Sequence, residues 1–206
     1  MGKLHGLRSR FYRVAILTLV GGIGMAASWP TRAQALPGQR VLDVALWMQD
    51  NPTIQPAPGE ALFVQRTDSP SRRFTFQASI TSPGQLSSGD GRDIIRSETI
   101  SLFDTVYGVS QARLIESLGF IYGNAILQDY ESAQAVLVYP TAEMITRAKQ
   151  NSQPLLELTK GEVRQGEHFV YWVEVVENPD GVTQNGRITV LLPEDLPKLV
   201  AQLESR

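Results

Sequence analysis

The sequence contains no cysteine and only two histidines among its 206 residues. The lack of cysteine excludes disulfides, thiolate metal sites, iron–sulfur clusters, cysteine nucleophiles and a lipid-modified N-terminal cysteine. Basic residues are also few: 19 Lys and Arg stand against 21 Asp and Glu, a formal net charge of −2. Nucleic-acid-binding proteins usually have an excess of basic residues, and this sequence has no such excess. Hydrophobic residues make up 42% of the chain, which is the composition of a globular protein.

The common catalytic and metal-binding motifs are missing as well. The chain has no Gly-x-Ser-x-Gly elbow, no Ser-x-x-Lys, no Gly-x-x-x-x-Gly-Lys and no His-x-x-x-His. The Asp90-Gly91 pair in the loop 82–92 superficially resembles a calcium loop, but its twelfth position would be Ser97 instead of Glu. The sequence therefore predicts no catalytic residues, no metal site and no cofactor.

The first 35 residues have the pattern of a secretory signal peptide. A basic start (Lys3, Arg8, Arg10 and Arg13) precedes an apolar run over 14–28, and Ala33-Gln34-Ala35 supplies a small-x-small cleavage site. The apolar run is shorter than the roughly 20 residues that a membrane-spanning helix needs. We therefore expect a cleavable signal peptide at 1–35 of the general secretory type, with a retained anchor as the alternative.

Cleavage after Ala35 would leave one globular α+β domain, residues 36–206. The removed segment holds five basic residues and no acidic one, so 14 basic and 21 acidic residues would remain, a net charge of −7. An acidic domain repels nucleic acid and anionic membranes. We expect a bacterial-type extracytoplasmic protein (in the periplasm, in the thylakoid lumen or secreted) with no integral membrane segment after cleavage and a protein or small molecule as its partner.

The pattern of apolar residues predicts an α+β fold: a mostly antiparallel sheet of about six strands with helices on both faces. Phe74, Phe76, Ala78 and Ile80 alternate with polar residues, which is typical of an antiparallel strand with one buried face. Ser110 and Thr141 are expected to cap helices, and Asn185-Gly186 is expected to form a turn. The strand 135–139 has apolar residues on both sides, so we expect helices to cover both of its faces. The predicted helices are 39–50, 110–118, 141–150 and one from about 194, and the predicted strands are 60–66, 72–81, 94–103, 135–139, 155–163, 167–177 and 186–192.

Arginines around two predicted strands form one candidate binding cluster. Arg66, Arg72 and Arg73 bracket the turn 67–71, and Arg92 and Arg96 are expected on the neighbouring strand. Guanidinium groups on a sheet can bind a carboxylate or phosphate of a partner. The alternative is an ordinary solvated surface neutralised by neighbouring carboxylates.

The aromatic strand 167–177 supplies the other candidate residues. Phe169, Tyr171, Val173 and Val175 are predicted to form its buried face. His168, Trp172 and Glu174 belong to a mixed opposite face that lies under a helix or lines a pocket, and on a fully dry face the Glu174 carboxylate would need a partner. We expect Trp172 to be buried and His168 to be exposed at the rim. His168, the one histidine after the signal, is also the candidate general base if the protein is a small hydrolase.

The end of the chain resembles the PsbP-related extrinsic subunits of photosystem II. The resemblance is carried by a long strand, a turn, Asn185-Gly186-Arg187-Ile188 and a Pro-Glu helix start, about 35 residues in all. It implies an exported α/β/α domain that serves as a lumenal accessory subunit of a photosynthetic complex.

Together these patterns favour an exported, non-catalytic binding or accessory protein. The PsbP-like accessory subunit and the hydrolase using His168 are the alternatives. The candidate binding residues are Arg66, Arg72, Arg73, Arg96, His168 and Trp172.

Overall fold

The computed structural model describes residues 36–83 and 93–206. In chain order the elements are α1 (Val41–Asp50), β1 (Phe63–Ser69), β2 (Arg72–Ser79), β3 (Ser97–Asp104), α2 (Gln111–Tyr122), α3 (Asn124–Ser132), β4 (Gln134–Tyr139), α4 (Ala142–Gln150), α5 (Pro154–Leu158), β5 (Thr159–Gln165), β6 (Val170–Glu177), β7 (Thr183–Leu191), a 3-10 helix (Pro193–Asp195) and α6 (Leu196–Glu204).

The seven described strands form one sheet in which every neighbouring pair is antiparallel. Their order is β1-β2-β3-β7-β6-β5-β4, so the last strand of the chain joins two consecutive meanders at the centre of the sheet. The predicted α+β class, with a mostly antiparallel sheet and helices on both faces, is confirmed, with seven strands instead of about six.

Helices α1, α2 and α3 cover one face of the sheet, which we call the helical face. The predicted alternation in β2 is correct: Phe76 and Ala78 are buried on this face, whereas Gln77 between them is exposed on the other. Met48 of α1, Leu118 of α2 and Ile188 of β7 belong to the same buried cluster. The helical face therefore joins elements from both ends of the described chain in one core.

The opposite face, which we call the second face, is covered over only part of its width. Leu199 and Leu203 of α6 pack with Val163, Val170 and Leu191, and Met144 of α4 lies against this cluster. Towards β1, β2 and β3 the second face carries polar residues, of which Gln65, Thr67, Arg73 and Gln77 are exposed. The boundary between the covered and the polar part runs along β7 and β6.

Local sequence signals placed two helix starts correctly. The Ser110 side chain accepts a hydrogen bond from the Arg113 N–H at 3.2 Å, and Thr141 accepts one from the Met144 N–H at 3.2 Å. Each cap depends on residues only three positions apart, so these interactions need no tertiary contact to be recognised.

Other local predictions were wrong. The predicted strand 155–163 is the short helix α5 followed by β5, and Pro154 stands at the start of that helix. Helix α3 was not predicted, because it has few apolar residues and its buried side chains include a carboxylate, Asp129. Strand β4 was expected to be covered on both faces, but it lies at the edge of the sheet, where Val138 is 61% exposed.

The Asn185-Gly186 pair was predicted as a turn but lies inside β7. A Cβ atom on Gly186 would lie 2.9 Å from Leu114 Cδ1 and 3.0 Å from Val175 Cγ1. The glycine therefore allows α2 to pack closely on the sheet.

The signal segment 1–35, Arg92 and most of the loop 82–92 lie outside the described residues, so the expectations for them stay predictions. Within the described ranges no helix is long and apolar enough to cross a bilayer.

Candidate ligand-binding groove

A groove of about 350 Å³ lies on the second face, where its polar part meets the end of α6. Strands β2, β3, β6 and β7, the segment after β2 and the end of the chain all contribute to it. The described lining residues are Gln77, Ser79, Thr81, Ser82, Pro83, Ser97, Thr99, Trp172, Arg187, Thr189, Gln202 and Arg206. Two of these side chains are cationic and none is acidic, so the groove can supply many hydrogen-bond donors to a ligand.

Glu174 holds the two groove arginines in place. The Nη2 of Arg187 donates to Glu174 Oε1 at 2.9 Å, and the Nη1 of Arg206 donates to Oε2 at 2.9 Å. The hydroxyl of Tyr139 donates to the same Oε2 at 2.7 Å. One carboxylate thus orients two guanidinium groups, and the three charged side chains together carry one net positive charge.

Tyr139 and Trp172 extend this network below the groove. The indole N–H of Trp172 donates to the Tyr139 hydroxyl oxygen at 2.6 Å. Burial, together with the negative charge of Glu174, raises the pKa of Tyr139 above its ordinary value. Tyr139 therefore stays protonated and continues to donate its hydrogen bond to the carboxylate.

Trp172 is buried, as the sequence predicted, and it also forms part of the groove lining. Its relative exposure is 4%, and the guanidinium carbons of Arg187 and Arg206 lie 4.3 Å and 5.4 Å from ring centroids of the indole. Cation–π contacts of this kind hold the arginine side chains against the indole. Both alternatives predicted for Trp172 therefore apply: the residue is buried, and it also lines a pocket.

The floor of the groove consists of hydroxyl and amide groups. The hydroxyls of Thr99 and Thr189 are hydrogen-bonded to each other at 3.0 Å across β3 and β7. The side-chain oxygen of Gln202 is buried without a hydrogen-bond partner in the described structure. An unsatisfied buried acceptor is uncommon in proteins, and here it lies in the lining of the groove.

The predicted arginine cluster does not come together. Arg66 donates to the backbone oxygen of Pro52, and Arg72 lies 3.7 Å from Asp104 and stacks on Tyr107. Arg73 lies on the opposite face from Arg72 and stacks on Phe103, while Arg92 lies outside the described residues.

Asp104 shows why Arg72 has an intramolecular role. Hydrogen bonds from the Tyr107 backbone N–H and from Arg113 lower the pKa of this almost fully buried carboxyl to about 2. The stable carboxylate is thereby available to the neighbouring Arg72 guanidinium.

Arg96 lies at the other end of β2 and β3, roughly 20 Å from Arg73 by strand rise. It forms two hydrogen bonds with the buried Asp195, at 2.8 and 3.1 Å, and its Nε lies 3.3 Å from the hydroxyl of Ser82. Arg96 thus attaches the start of α6 to the sheet and contacts the groove only through Ser82.

His168 also lies apart from Trp172, contrary to the shared face predicted for them. Strand β6 begins only at Val170, and His168 belongs to the turn that precedes it. Its Nδ1 lies 3.3 Å from Asp129 of α3, on the helical face, and its side chain is 66% exposed. The expected exposure at the rim is correct, but the rim is that of the helical face.

Asp129 organises this turn. It accepts hydrogen bonds from the backbone N–H groups of Glu167 and His168 and, at 2.7 Å, from the hydroxyl of Tyr171. Burial raises the pKa of Asp129, but the hydrogen bonds from Tyr171, His168 and the backbone outweigh it, so the pKa is lowered. Within the described residues, the ring Nε2 of His168 has no hydrogen-bond partner, so no hydroxyl nucleophile is positioned there.

The described part of the chain contains no group of three His, Asp or Glu residues that could hold a metal ion. Comparison with protein-family models, curated proteins and solved structures finds no match to this chain.

Sequence reasoning missed three residues of the groove lining, Arg187, Gln202 and Arg206. It also missed that the buried Glu174 holds the two arginines in place. Glu174 was noted only as a carboxylate in need of a partner on a dry face, and that need was the available signal. Its partners lie 13 and 32 residues away along the chain, so only the folded sheet and the position of α6 identify them.

Proposed function

We propose that this chain is an exported, non-catalytic binding protein and that the groove on the second face is its ligand site. The observation that carries the proposal is the Glu174 network, which fixes Arg187 and Arg206 beside a floor of hydroxyl and amide groups. Fixed polar donors in a concave site give specificity for a bound molecule. The described groove lining contains neither an acidic side chain nor a histidine, the side chains that most often act as general bases.

A thermal-shift screen tests this proposal. The purified protein is heated with a panel of neutral, anionic and cationic small molecules, in parallel with a Thr99→Phe variant that fills the groove with a bulky, uncharged side chain. We expect at least one class of compound to raise the Tm of the native protein but not that of Thr99→Phe. Stabilisation that is equal in both proteins would place binding elsewhere and contradict the proposal.

The hydrolase hypothesis has one observation in its favour, the contact between His168 and Asp129. A carboxylate on Nδ1 orients an imidazole for proton transfer at Nε2. A panel of esterase, phosphatase, glycosidase and peptidase substrates tests it, with His168→Ala as the matched variant. Turnover by the native protein that disappears in His168→Ala would replace the binding proposal with a hydrolase.

A PsbP-like accessory role is a special form of the binding proposal, in which the partner is a photosynthetic complex. Its support is the resemblance over β6, β7 and the start of α6. Co-purification with photosystem II, compared between the native protein and Thr99→Phe, tests whether the groove takes part in such an assembly.

A further inference from the structure

We infer that the ligand of the groove carries an oxyanion, a carboxylate or a phosphate group, that binds to Arg187 and Arg206. This inference rests on the proposed function and names the chemical class of the ligand. Its basis is that the guanidinium groups of Arg187 in β7 and of Arg206, which follows α6, are held beside a polar floor.

The site contains more positive than negative side chains. Arg187 and Arg206 share the single carboxylate of Glu174, which lies beneath them and is almost fully buried. No acidic side chain belongs to the described lining of the groove. The side chains of Glu174, Arg187 and Arg206 together therefore carry one net positive charge, which favours an anion in the groove over a neutral molecule.

The two guanidinium groups also have more N–H donors than Glu174 uses. Each guanidinium has five N–H donors, and Glu174 accepts one hydrogen bond from each arginine. The remaining terminal N–H donors match the paired oxygens of a carboxylate or the oxygens of a phosphate, whereas the Nε of Arg187 is buried. Arg187 and Arg206 are 39% and 21% exposed at their side chains, so both can be reached from solvent.

Both arginine side chains are already held in place before a ligand binds. An arginine on an open surface loses side-chain entropy when it binds an anion. Here the Glu174 carboxylate and the Trp172 ring already restrict both guanidinium groups. Less entropy remains to be lost on binding, and the affinity for an oxyanion rises accordingly.

Arg73 provides an internal comparison. It lies on the same second face, two strands from β7 and outside the groove lining, and its described contact is a stack on Phe103. It has the same charge as Arg187, but no carboxylate of the described residues forms an ion pair with its guanidinium. A nonspecific attraction of anions to this face would involve Arg73 as well, whereas a built site would not.

NMR titration of the ¹⁵N-labelled full chain tests the inference. The reporter is the indole N–H of Trp172, assigned by its absence in Trp172→Phe. Sodium phosphate and sodium acetate are titrated separately to distinguish the two oxyanions, with sodium chloride at equal ionic strength as the control. We expect phosphate or acetate to shift this resonance saturably, and we expect chloride to have no comparable effect.

Two variants make the result specific. Arg187→Gln removes one guanidinium, and Gln202→Glu adds a competing carboxylate to the lining while leaving the Glu174 network intact. We expect both to weaken binding by about tenfold or more, and we expect Arg73→Gln to retain the native affinity. The Gln202→Glu variant keeps the test valid if Arg187→Gln fails to fold.

A shift that follows ionic strength alone, no saturable shift, or equal losses in Arg73→Gln and Arg187→Gln would overturn the inference. A neutral compound that binds in the thermal-shift screen in a Thr99-dependent manner would overturn the anion assignment and leave the proposed binding function in place. The two failures are therefore distinguishable.

Discussion

The burial of a single carboxyl group, that of Glu98, makes the stability of this protein depend on pH. Its side chain is fully buried on the helical face, where it accepts a hydrogen bond from Tyr122 at 2.7 Å. Burial raises the pKa of Glu98 to about 8, although the Tyr122 hydrogen bond opposes the shift. The folded protein therefore holds a proton that an unfolded glutamic acid would release near pH 4.5.

We predict that the free energy of unfolding falls as the pH rises from about 5 to about 8, because ionisation is unfavourable only in the folded state. Each tenfold difference in proton affinity corresponds to about 1.4 kcal/mol. Glu98→Gln, which cannot ionise, should lose most of this dependence and be more stable than the native protein near pH 8. Urea unfolding at both pH values measures this, with the exposed Glu116→Gln as the control. A Glu98→Gln profile parallel to that of the native protein would contradict the prediction.

The stability of the protein should also depend strongly on Trp172. Trp172→Ala removes a large buried side chain that supports both groove arginines, so we predict a loss of about 3–5 kcal/mol in the free energy of unfolding. Trp172→Phe keeps most of the apolar volume and should lose less, although Tyr139 loses its indole donor. Urea unfolding of the two variants measures the difference. Easy quenching of Trp172 fluorescence by iodide in a fully stable protein would show that the indole is exposed.

At the scale of elements, the packing of α2 on β7 depends on the absence of a side chain at Gly186. Gly186→Ala would place a Cβ atom against Leu114 and Val175, and overpacking of this kind costs about 1–3 kcal/mol. Gly119→Ala within α2 is the matched control: its Cβ atom would meet Leu127 Cδ2 at 3.4 Å, an ordinary contact. There the higher helix propensity of alanine should stabilise the protein by about 0.5–1 kcal/mol.

Opposite signs for these two substitutions are the expected result of thermal unfolding. Equal and small effects would mean that the α2–β7 contact is looser than described. The glycine in β7 is also the residue that made the sequence misleading, because Asn-Gly is a strong hairpin signal when only local context is considered.

At the scale of the whole molecule, the two core clusters share one sheet. Met48 of α1 belongs to the cluster on the helical face and Leu203 of α6 to the cluster on the second face. We predict one cooperative unfolding transition for residues 36–206, and we expect Met48→Ala and Leu203→Ala each to lower its midpoint by destabilising the protein by about 2–5 kcal/mol. Two separate transitions, each shifted by only one variant, would contradict a single cooperative unit.

The N-terminal segment gives the other prediction at this scale. We predict that the native product begins at Leu36 and is found outside the cytoplasm, because 1–35 has the three regions of a cleavable signal. Intact-mass measurement of the native protein checks the cleavage position. A product that retains Met1 would identify the segment as an anchor.

The sequence by itself determined the features that depend on near neighbours or on a strict period. The alternation in β2, the Ser110 and Thr141 caps and the buried aromatic face of β6 belong to this class, because each is decided by residues within a few positions of one another. The fold class followed from these local patterns, and the burial of Trp172 followed from its valine neighbours on the same face.

The tertiary structure alone decided which charged residues meet. The predicted arginine cluster separated because β2 places successive side chains on opposite faces and because Asp104 and Asp195 bind two of its members. Arg187 and Arg206 line the groove instead, and strand pairing and the return of α6 bring both of them to the buried Glu174. Contacts between residues far apart in the sequence depend on the order of the strands and on the position of the helices. The spacing of apolar residues along the chain does not specify either of these.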